Sequence, residues 1–379
     1  MDLITIIILL GIIQGFFIGL LLIMMKSPNR RANRFLGVLY FSFSISISHF
    51  FLLRTGLYHD FPHLIRVAFP SLFLFGPLFY FYVRILTDRS TRLRPVHLLH
   101  ALPFLITVLL SLPFYLSSVE AKLDYLENMH DGEGVHLGMI MGGVQLFHIF
   151  AYVVAIRKIL RRYDERIKNT KSSIERINLR WLWLCTAFFI GVFGLIFVLI
   201  VLQAIGVPTL EFYGIAIPIA VSFIIYFMGY LGLRQPEIFT ASDEMGSGKK
   251  YARSTLTPDK AVQQLEKLQA FMKAEKPYLE SELTLTKLAE QLDIPPHHLS
   301  QMLNESLNQN FFDFVNSYRV EEAKRLLQDP EKSAFTVLAV AEEAGFNSKT
   351  AFNTAFKRFT GDTPTEYRTS RQQTLQATS

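Results

Sequence analysis

Residues 341–368 read AEEAGFNSKTAFNTAFKRFTGDTPTEYR and predict two short helices on either side of a tight turn. Gly345 can adopt the positive φ that ends a helix, and Ser348 can cap the helix that follows. Ala341 is small at the point where two helices have to cross closely. This spacing is typical of a helix-turn-helix, which we place over residues 337–359 and call the second helix-turn-helix.

Another stretch of the same kind lies upstream, over residues 285–304, LTKLAEQLDIPPHHLSQMLN, and we call it the first helix-turn-helix. Its turn falls at residues 293–295, and Pro296 suits the first position of the following helix. Ala289 is the small residue of the helix crossing. Between the two stretches, residues 312–328 predict one long helix with a buried apolar face. The C-terminal part is therefore expected to hold two helix-turn-helix motifs joined by a helix.

The second helix-turn-helix and its extension to Arg368 resemble the signature of AraC/XylS-type transcription regulators. The segment Tyr318–Ala323, YRVEEA, is similar to the linker helix of that family. The resemblance covers residues 277–370. It implies a domain in which both helix-turn-helix motifs bind double-stranded DNA.

The candidate DNA-contacting residues lie on the second helix of each motif. Such a helix presents outward side chains to base edges in the major groove, while nearby cations and hydroxyls bind phosphates. The apolar residues of each helix form its inner face. They are Leu299, Met302 and Leu303 in the first motif and Ala351, Phe352, Ala355, Phe356 and Phe359 in the second. The outward residues are His297, Ser300, Gln301, Asn304, Lys349, Thr350, Asn353 and Thr354, with Lys357 and Arg358 assigned to phosphates. Relatives often carry arginine at the position of Thr354, so the sequence departs from the family's pattern there.

The N-terminal part has the composition of a membrane protein. Half of the whole chain is hydrophobic and only 18% is charged, against about 25% charged in ordinary soluble proteins. Seven apolar windows are each long enough for a helix to cross a bilayer. They are residues 3–25, 35–53, 67–86, 97–116, 137–156, 181–203 and 212–233.

Lysine and arginine residues indicate how these helices are oriented. They concentrate after the first, third and fifth windows, whereas the loop over residues 117–136 is acidic. Since cytoplasmic loops carry the excess of Lys and Arg, the N-terminus is expected outside and the C-terminal domain in the cytoplasm. A seven-helix region fused to such a domain is similar to membrane-bound AraC-type regulators, which implies a bacterial cytoplasmic membrane.

Three polar residues inside the windows, His49, Gln145 and His148, are candidates for a ligand site. Ionisable groups are costly in lipid unless they face a cavity or a partner. The alternative is that they join neighbouring helices by hydrogen bonds.

The predicted organisation is all-α. It consists of a seven-helix region over 1–233, a linker over 234–256, an amphipathic helix over 257–276, the DNA-binding domain over 277–370 and a disordered tail over 371–379. Behind its Thr257-Pro258 start, the amphipathic stretch has apolar residues at helical spacing, and we expect it to pack against the following domain.

Two function classes stay open. The first is a one-component transcription regulator controlled by a signal sensed in or through the membrane, with DNA, the bilayer, a signal ligand and a second copy of the chain as partners. The second is a membrane receptor or carrier whose tail binds a protein, since residues 247–379 carry 17 basic and 17 acidic residues. The single cysteine, Cys185, excludes paired-cysteine metal sites. No nucleotide-binding loop, nucleophile motif or zinc motif occurs, so we expect neither an enzyme nor a cofactor.

Overall fold

The computed structural model describes residues 1–128, 133–175, 177–207, 209–233 and 258–370. Over these ranges the regular secondary structure is helical, as predicted. The chain divides into two compact modules. The N-terminal module holds the described residues of 1–161 and 179–245, and the C-terminal module holds those of 162–178 and 246–379. The predicted linker, 234–256, and tail, 371–379, lie outside the described residues.

The helices of the N-terminal module follow the apolar windows, except for α5, which lies between two of them. They are α1 (Leu3–Met24), α2 (Arg30–Thr55), α3 (Phe75–Thr87), α4 (Leu102–Tyr115), α5 (Val119–Glu127), α6 (Glu133–Thr170), α7 (Arg180–Ala204) and α8 (Leu210–Leu233). Within the described residues, seven helical segments are long and apolar enough to cross a membrane. Each of them overlaps one predicted window.

Proline shapes the third and fourth of these segments. A 3₁₀ helix over Phe69–Leu74 leads into α3, and another over Pro95–Ala101 leads into α4. Pro70 and Pro95 each lie in the first turn of their 3₁₀ helix. Proline has no amide hydrogen to donate, and a first turn is where that donor is not needed.

Glycines let α1 and α2 approach closely. Gly11, Gly15 and Gly19 recur every four residues on α1, a spacing that brings small residues onto one face. A Cβ atom on Gly37 of α2 would lie 2.7 Å from the Gly19 carbonyl oxygen, so only glycine fits at this crossing. The hydroxyl of Ser44 donates to the Ile12 carbonyl (3.2 Å) and joins the same two helices.

The C-terminal module is built from short helices around one long one. They are α9 (Pro258–Ala274), α10 (Leu285–Gln291), α11 (Pro296–Ser306), α12 (Phe311–Gln328), α13 (Val337–Glu343) and α14 (Lys349–Thr360), with 3₁₀ helices over Pro277–Leu279 and Pro330–Lys332. The first helix-turn-helix is α10 and α11, and the second is α13 and α14. The long helix α12 joins them, as predicted.

Two apolar cores lie on either side of α12. The first contains the inner residues of α10 and α11 together with Leu268 and Met272 of α9, both fully buried. The amphipathic helix therefore packs against the domain that follows it, although one of its apolar residues, Val262, is 58% exposed. The second core contains the inner residues of α13 and α14. Phe314 and Val315 of α12 contribute to the first core, and residues nearer its C-terminus contribute to the second.

Candidate nucleic-acid interface

Local hydrogen bonds define the first helix-turn-helix. The side chain of Thr284 accepts a main-chain amide hydrogen bond (3.2 Å) and caps α10. In the turn, Asp293 has a φ of 55°, and the amide of Ile294 donates to the carbonyl of Ala289 (3.0 Å). Pro296 then begins α11, as the sequence predicted. These features fix the angle between α10 and α11.

The second helix-turn-helix repeats this construction. The side chains of Thr336 and Ser348 each accept a main-chain amide hydrogen bond (3.1 Å) and cap α13 and α14. Gly345 has a φ of 85°, and the amide of Phe346 donates to the carbonyl of Ala341 (2.9 Å) across the turn. The predicted cap at Ser348 and positive φ at Gly345 are thus confirmed.

The second helices of the two motifs place their side chains in the same way. The buried residues are Leu299, Met302 and Leu303 on α11 and Phe352, Ala355 and Phe356 on α14. Because the spacing is identical, the outward positions also correspond. His297, Ser300, Gln301 and Asn304 occupy the helical positions of Thr350, Asn353, Thr354 and Lys357, respectively.

On α11 the outward residues form a polar surface. Asn304 is exposed and its amide donates to the Ser300 carbonyl (2.7 Å). The half-buried Gln301 donates to the Glu305 carboxylate (2.9 Å), while its own amide oxygen is buried and has no partner among the described residues. A glutamine amide forms a bidentate contact with adenine in the major groove, and for Gln301 this requires the side chain to turn its buried oxygen outward and leave Glu305.

Two adjacent histidines lie at the start of α11. The rings of His297 and His298 meet edge to face, with centroids 4.5 Å apart. Burial lowers the pKa of His298, and His297 and Lys260 lower it further. Within the described ranges, no group of three or more His, Cys, Asp or Glu side chains is placed to hold a metal ion.

On α14 the outward surface carries positive charge. Lys349, Thr350, Thr354 and Lys357 are exposed, whereas Asn353 is half-buried, and its amide oxygen is buried without a partner among the described residues. The two lysines lie one at the start and one near the end of the helix. This arrangement suits phosphate contacts on either side of a central polar readout position.

Arg358 lies beside this surface but is held by an ion pair. Its guanidinium donates two hydrogen bonds to the carboxylate of Asp313 on α12 (2.6 and 2.9 Å), which raise the pKa of Arg358. The prediction that Phe359 belongs to the inner face is wrong, because its side chain is 40% exposed. Phe359 lies in the last turn, just before Gly361 ends α14, and the Arg358 guanidinium covers its ring at 5.6 Å.

The long helix α12 carries further charge pairs. Glu322, 9% exposed, accepts hydrogen bonds from Lys276 (3.1 Å) and Arg325 (2.7 Å). Burial would raise the pKa of the Glu322 carboxyl, but the hydrogen bonds from Arg325 and Lys276 outweigh it and the net pKa is lowered. The pair with Lys276 joins α12 to the segment that follows α9, whereas Arg325 lies on α12 itself.

The three predicted ligand residues of the N-terminal module have different surroundings. His49 on α2 forms a hydrogen bond between its Nδ1 and the Tyr58 hydroxyl (2.8 Å). His148 on α6 packs its ring against Tyr152, with centroids 5.0 Å apart. Gln145 lies one turn before His148, and its amide nitrogen is buried without a partner among the described residues. His49 therefore has a local hydrogen-bonding role, whereas Gln145 keeps an unused donor.

Sequence reasoning missed three residues that organise the C-terminal module: Asp313, Arg319 and Ser172. Arg319 is 1% exposed on α12 and Ser172, also 1% exposed, lies far away in the sequence. The segment around Arg319 is similar to the linker helix of the family, but nothing in a single sequence connects it with Ser172.

Comparisons with known proteins agree with this geometry. Residues 288–370 match the family model described as a helix-turn-helix domain. An uncharacterized HTH-type transcriptional regulator of Staphylococcus aureus strain COL is 35% identical over 91 residues, 24% of this chain and 12% of that protein. The regulator YtdP of Bacillus subtilis strain 168 is 34% identical over 89 residues, 24% of this chain and 11% of that protein. The chain thus matches only about an eighth of the length of these relatives.

Two solved structures are also similar. The C-terminal domain of the two-component response regulator yesN from Fusobacterium nucleatum is 33% identical, with a TM-score of 0.25, and the match covers 28% of this chain and 98% of that one. The C-terminal domain of AraT, a response regulator from Geobacillus stearothermophilus, is 31% identical, with a TM-score of 0.25, and the match covers 31% and 88%. The C-terminal part of this chain is a helix-turn-helix domain of AraC type, similar to those of HTH-type transcriptional regulators.

Proposed function

We propose that the protein is a membrane-anchored transcription regulator that binds double-stranded DNA through both helix-turn-helix motifs. The observation that carries this proposal is the correspondence between α11 and α14. Both helices bury the same three positions and turn the same four polar positions outward. Two matched surfaces on one domain suit two successive segments of one duplex.

The length of α12 fits this arrangement. Its 18 residues extend over about 27 Å at 1.5 Å per residue. Neighbouring major-groove segments on one face of DNA are about 34 Å apart. A helix of this length, with one motif packed at each end, can present α11 and α14 to adjacent turns.

The outward side chains suggest distinct tasks in binding. Gln301 and Asn353 have amide groups that can read base edges once their buried oxygens turn outward, since Gln and Asn pair with adenine. Lys349 and Lys357 supply charge for phosphates and make binding salt-dependent. Thr354, where relatives often carry arginine, supplies a neutral hydroxyl in place of that cation.

Membrane anchoring is the second part of the proposal. It is supported by the seven apolar helical segments among the described residues and by the Lys and Arg residues that follow the first, third and fifth windows. This asymmetry favours a cytoplasmic domain, where DNA is accessible. A signal acting on the membrane helices would then control the tethered domain.

The DNA-binding proposal is tested with full-length protein in detergent or lipid discs. Random double-stranded DNA is enriched for binding, and selected sites are used in gel-shift assays. We expect a defined sequence to be enriched and the double variant Gln301→Ala, Asn353→Ala to lose preference for it. Gln269→Ala, which changes an exposed glutamine on α9, is the matched control and should bind as the wild type does. Failure to enrich any sequence would favour the alternative of a protein-binding tail.

A further inference from the structure

A short segment between α6 and α7 belongs to the C-terminal module rather than to the module that contains most of those two helices. We call residues 171–175 the strap. Lys171 pairs with Thr284 as an isolated antiparallel β-bridge. The amide and the hydroxyl of Ser172 both donate to the Leu283 carbonyl, at 3.2 and 2.7 Å. The strap is therefore bound to the residues that begin the first helix-turn-helix.

The strap also binds the middle of α12 through a buried arginine. Arg319 donates to the carbonyl of Ser172 (3.1 Å) and to its hydroxyl oxygen (3.1 Å). Asn316, one turn earlier, donates to the same carbonyl at 3.4 Å. The remaining guanidinium hydrogens go to the side-chain oxygen of Asn316 (3.2 Å) and to the main-chain carbonyls of Tyr278 (2.8 Å) and Glu280 (2.7 Å). Because buried charges are costly unless fully hydrogen-bonded, the strap completes the environment of Arg319.

A third contact reaches the second helix-turn-helix. The side-chain amide of Asn347, in the turn before α14, donates to the hydroxyl of Ser173. Ser173 in turn donates to the Glu175 carboxylate (2.7 Å), which holds the strap in a bent shape. Arg319 also lies 5.8 Å from the ring of Phe346 in that turn. Through Lys171, Ser172 and Ser173, the strap thus contacts both motifs and the helix between them.

We propose that the strap fixes the two helix-turn-helix motifs in one relative arrangement, and that its release from Arg319 and Asn347 uncouples them. This inference rests on the proposed function, since it concerns how the two motifs act on one DNA site. When two binding surfaces are held at the right spacing, the second contact forms intramolecularly and affinity rises greatly. Loosening the spacing removes that gain without altering either surface.

The strap lies in the chain between α6 and α7, so movement of either helix can regulate the DNA-binding domain. The strap follows α6 directly, and α7 begins at Arg180, a few residues after it. A displacement of either helix acts on the strap through short stretches of covalent chain. No separate messenger is needed to carry a signal from those helices to the DNA-binding domain.

Cross-linking tests whether the strap lies against the turn that precedes α14. In full-length protein carrying Cys185→Ala, the pair Ser173→Cys with Asn347→Cys should form a disulfide under mild oxidation, because the native side chains are hydrogen-bonded. The control pair is Ser173→Cys with Asn304→Cys, on the exposed face of α11. A disulfide yield no higher than that of the control pair would overturn the proposal, whatever the protein does with DNA.

DNA-binding assays test how the docked strap affects affinity for full sites and for half-sites. Ser172→Ala and Ser173→Ala together should lower affinity for a full two-segment site by about tenfold or more, while affinity for either half-site stays within about twofold. Ser90→Ala, a serine in the loop between α3 and α4, is the matched control and should change neither. An equal loss on half-sites and full sites, or no loss on either, would overturn the proposal. Cross-linking without any DNA binding by the wild type would overturn the proposed function on which the inference rests.

Discussion

The guanidinium of Arg358 on α14 forms a two-point ion pair with the carboxylate of Asp313 at the start of α12. The pair joins α14, the second helix of the second helix-turn-helix, to the helix that connects the motifs. It also neutralises a cation that the sequence assigned to phosphate binding. Arg358 and its neighbour Lys357 are therefore expected to differ in their effect on DNA binding.

Salt titrations measure that difference. Replacing Lys357, which is exposed, by Ala should reduce the slope of log affinity against log salt by about one. Arg358→Ala should reduce it by clearly less, because Asp313 already compensates the charge. In an Asp313→Asn background, Arg358→Ala should approach the effect of Lys357→Ala. Equal slopes for both single variants would show that the ion pair opens when DNA binds.

Gly345 is expected to be required for the second turn. A Cβ atom there would lie 2.5 Å from the Tyr278 carbonyl oxygen, and its φ of 85° is unfavourable for other residues. Gly345→Ala should lower the free energy of unfolding by more than the roughly 1–2 kcal/mol that the left-handed conformation costs. Gly361→Ala is the matched control, because Gly361 has a similar φ of 87° and open space around it. Both variants carry the cost of the left-handed conformation, but only Gly345→Ala adds a steric clash. Comparing the amide hydrogen exchange of α13 and α14 in the two variants therefore gives the free energy lost to the clash.

The ion pairs of Glu322 predict acid sensitivity. The pKa of this carboxyl in the folded protein lies below its ordinary value of 4.5. Its stabilising effect is therefore complete above about pH 4.5 and is lost as the pH falls through the folded pKa. Glu322→Gln should make hydrogen exchange of α12 faster at neutral pH and weaken the acid dependence. Glu321→Gln, at a largely exposed neighbouring carboxylate, should leave both unchanged.

The topology proposal predicts opposite locations for two loops. Compartment reporters fused at Glu127 and at Lys168 should report the outside and the inside of the membrane, respectively, because Lys and Arg concentrate on the second side. If both reporters lay in the same compartment, the seven-span arrangement would be contradicted. That result would also remove the cytoplasmic placement of the DNA-binding domain.

Much of the fold could be predicted because its signals are local. Ser348 and Gly345 mark the ends of helices by their own chemistry, and the spacing of Leu299, Met302 and Leu303 is enough to assign an inner face. The same rule failed at Phe359 because periodicity does not say where a core ends. The last turn of α14 continues the apolar spacing beyond the residues that α12 and α13 cover.

The contacts that organise the candidate site could not be predicted in this way. Arg319 and Ser172 are 147 residues apart in the chain, and Arg358 and Asp313 are 45 apart. Hydrogen bonds between such distant polar residues leave no periodic pattern, and each of these residue types is common on solvated surfaces. Only the folded arrangement shows that Arg319 is buried and that a loop serine meets it.

The central claim is that one domain reads two adjacent major-groove segments. The most direct measurement is the affinity of Gln301→Ala and Asn353→Ala for sites in which each base cluster is scrambled in turn. Each variant should lose about 1–3 kcal/mol of discrimination at its own cluster and none at the other, over a site of about two turns. If both variants lower affinity uniformly for matched and scrambled sites, α11 and α14 do not read bases as assigned here.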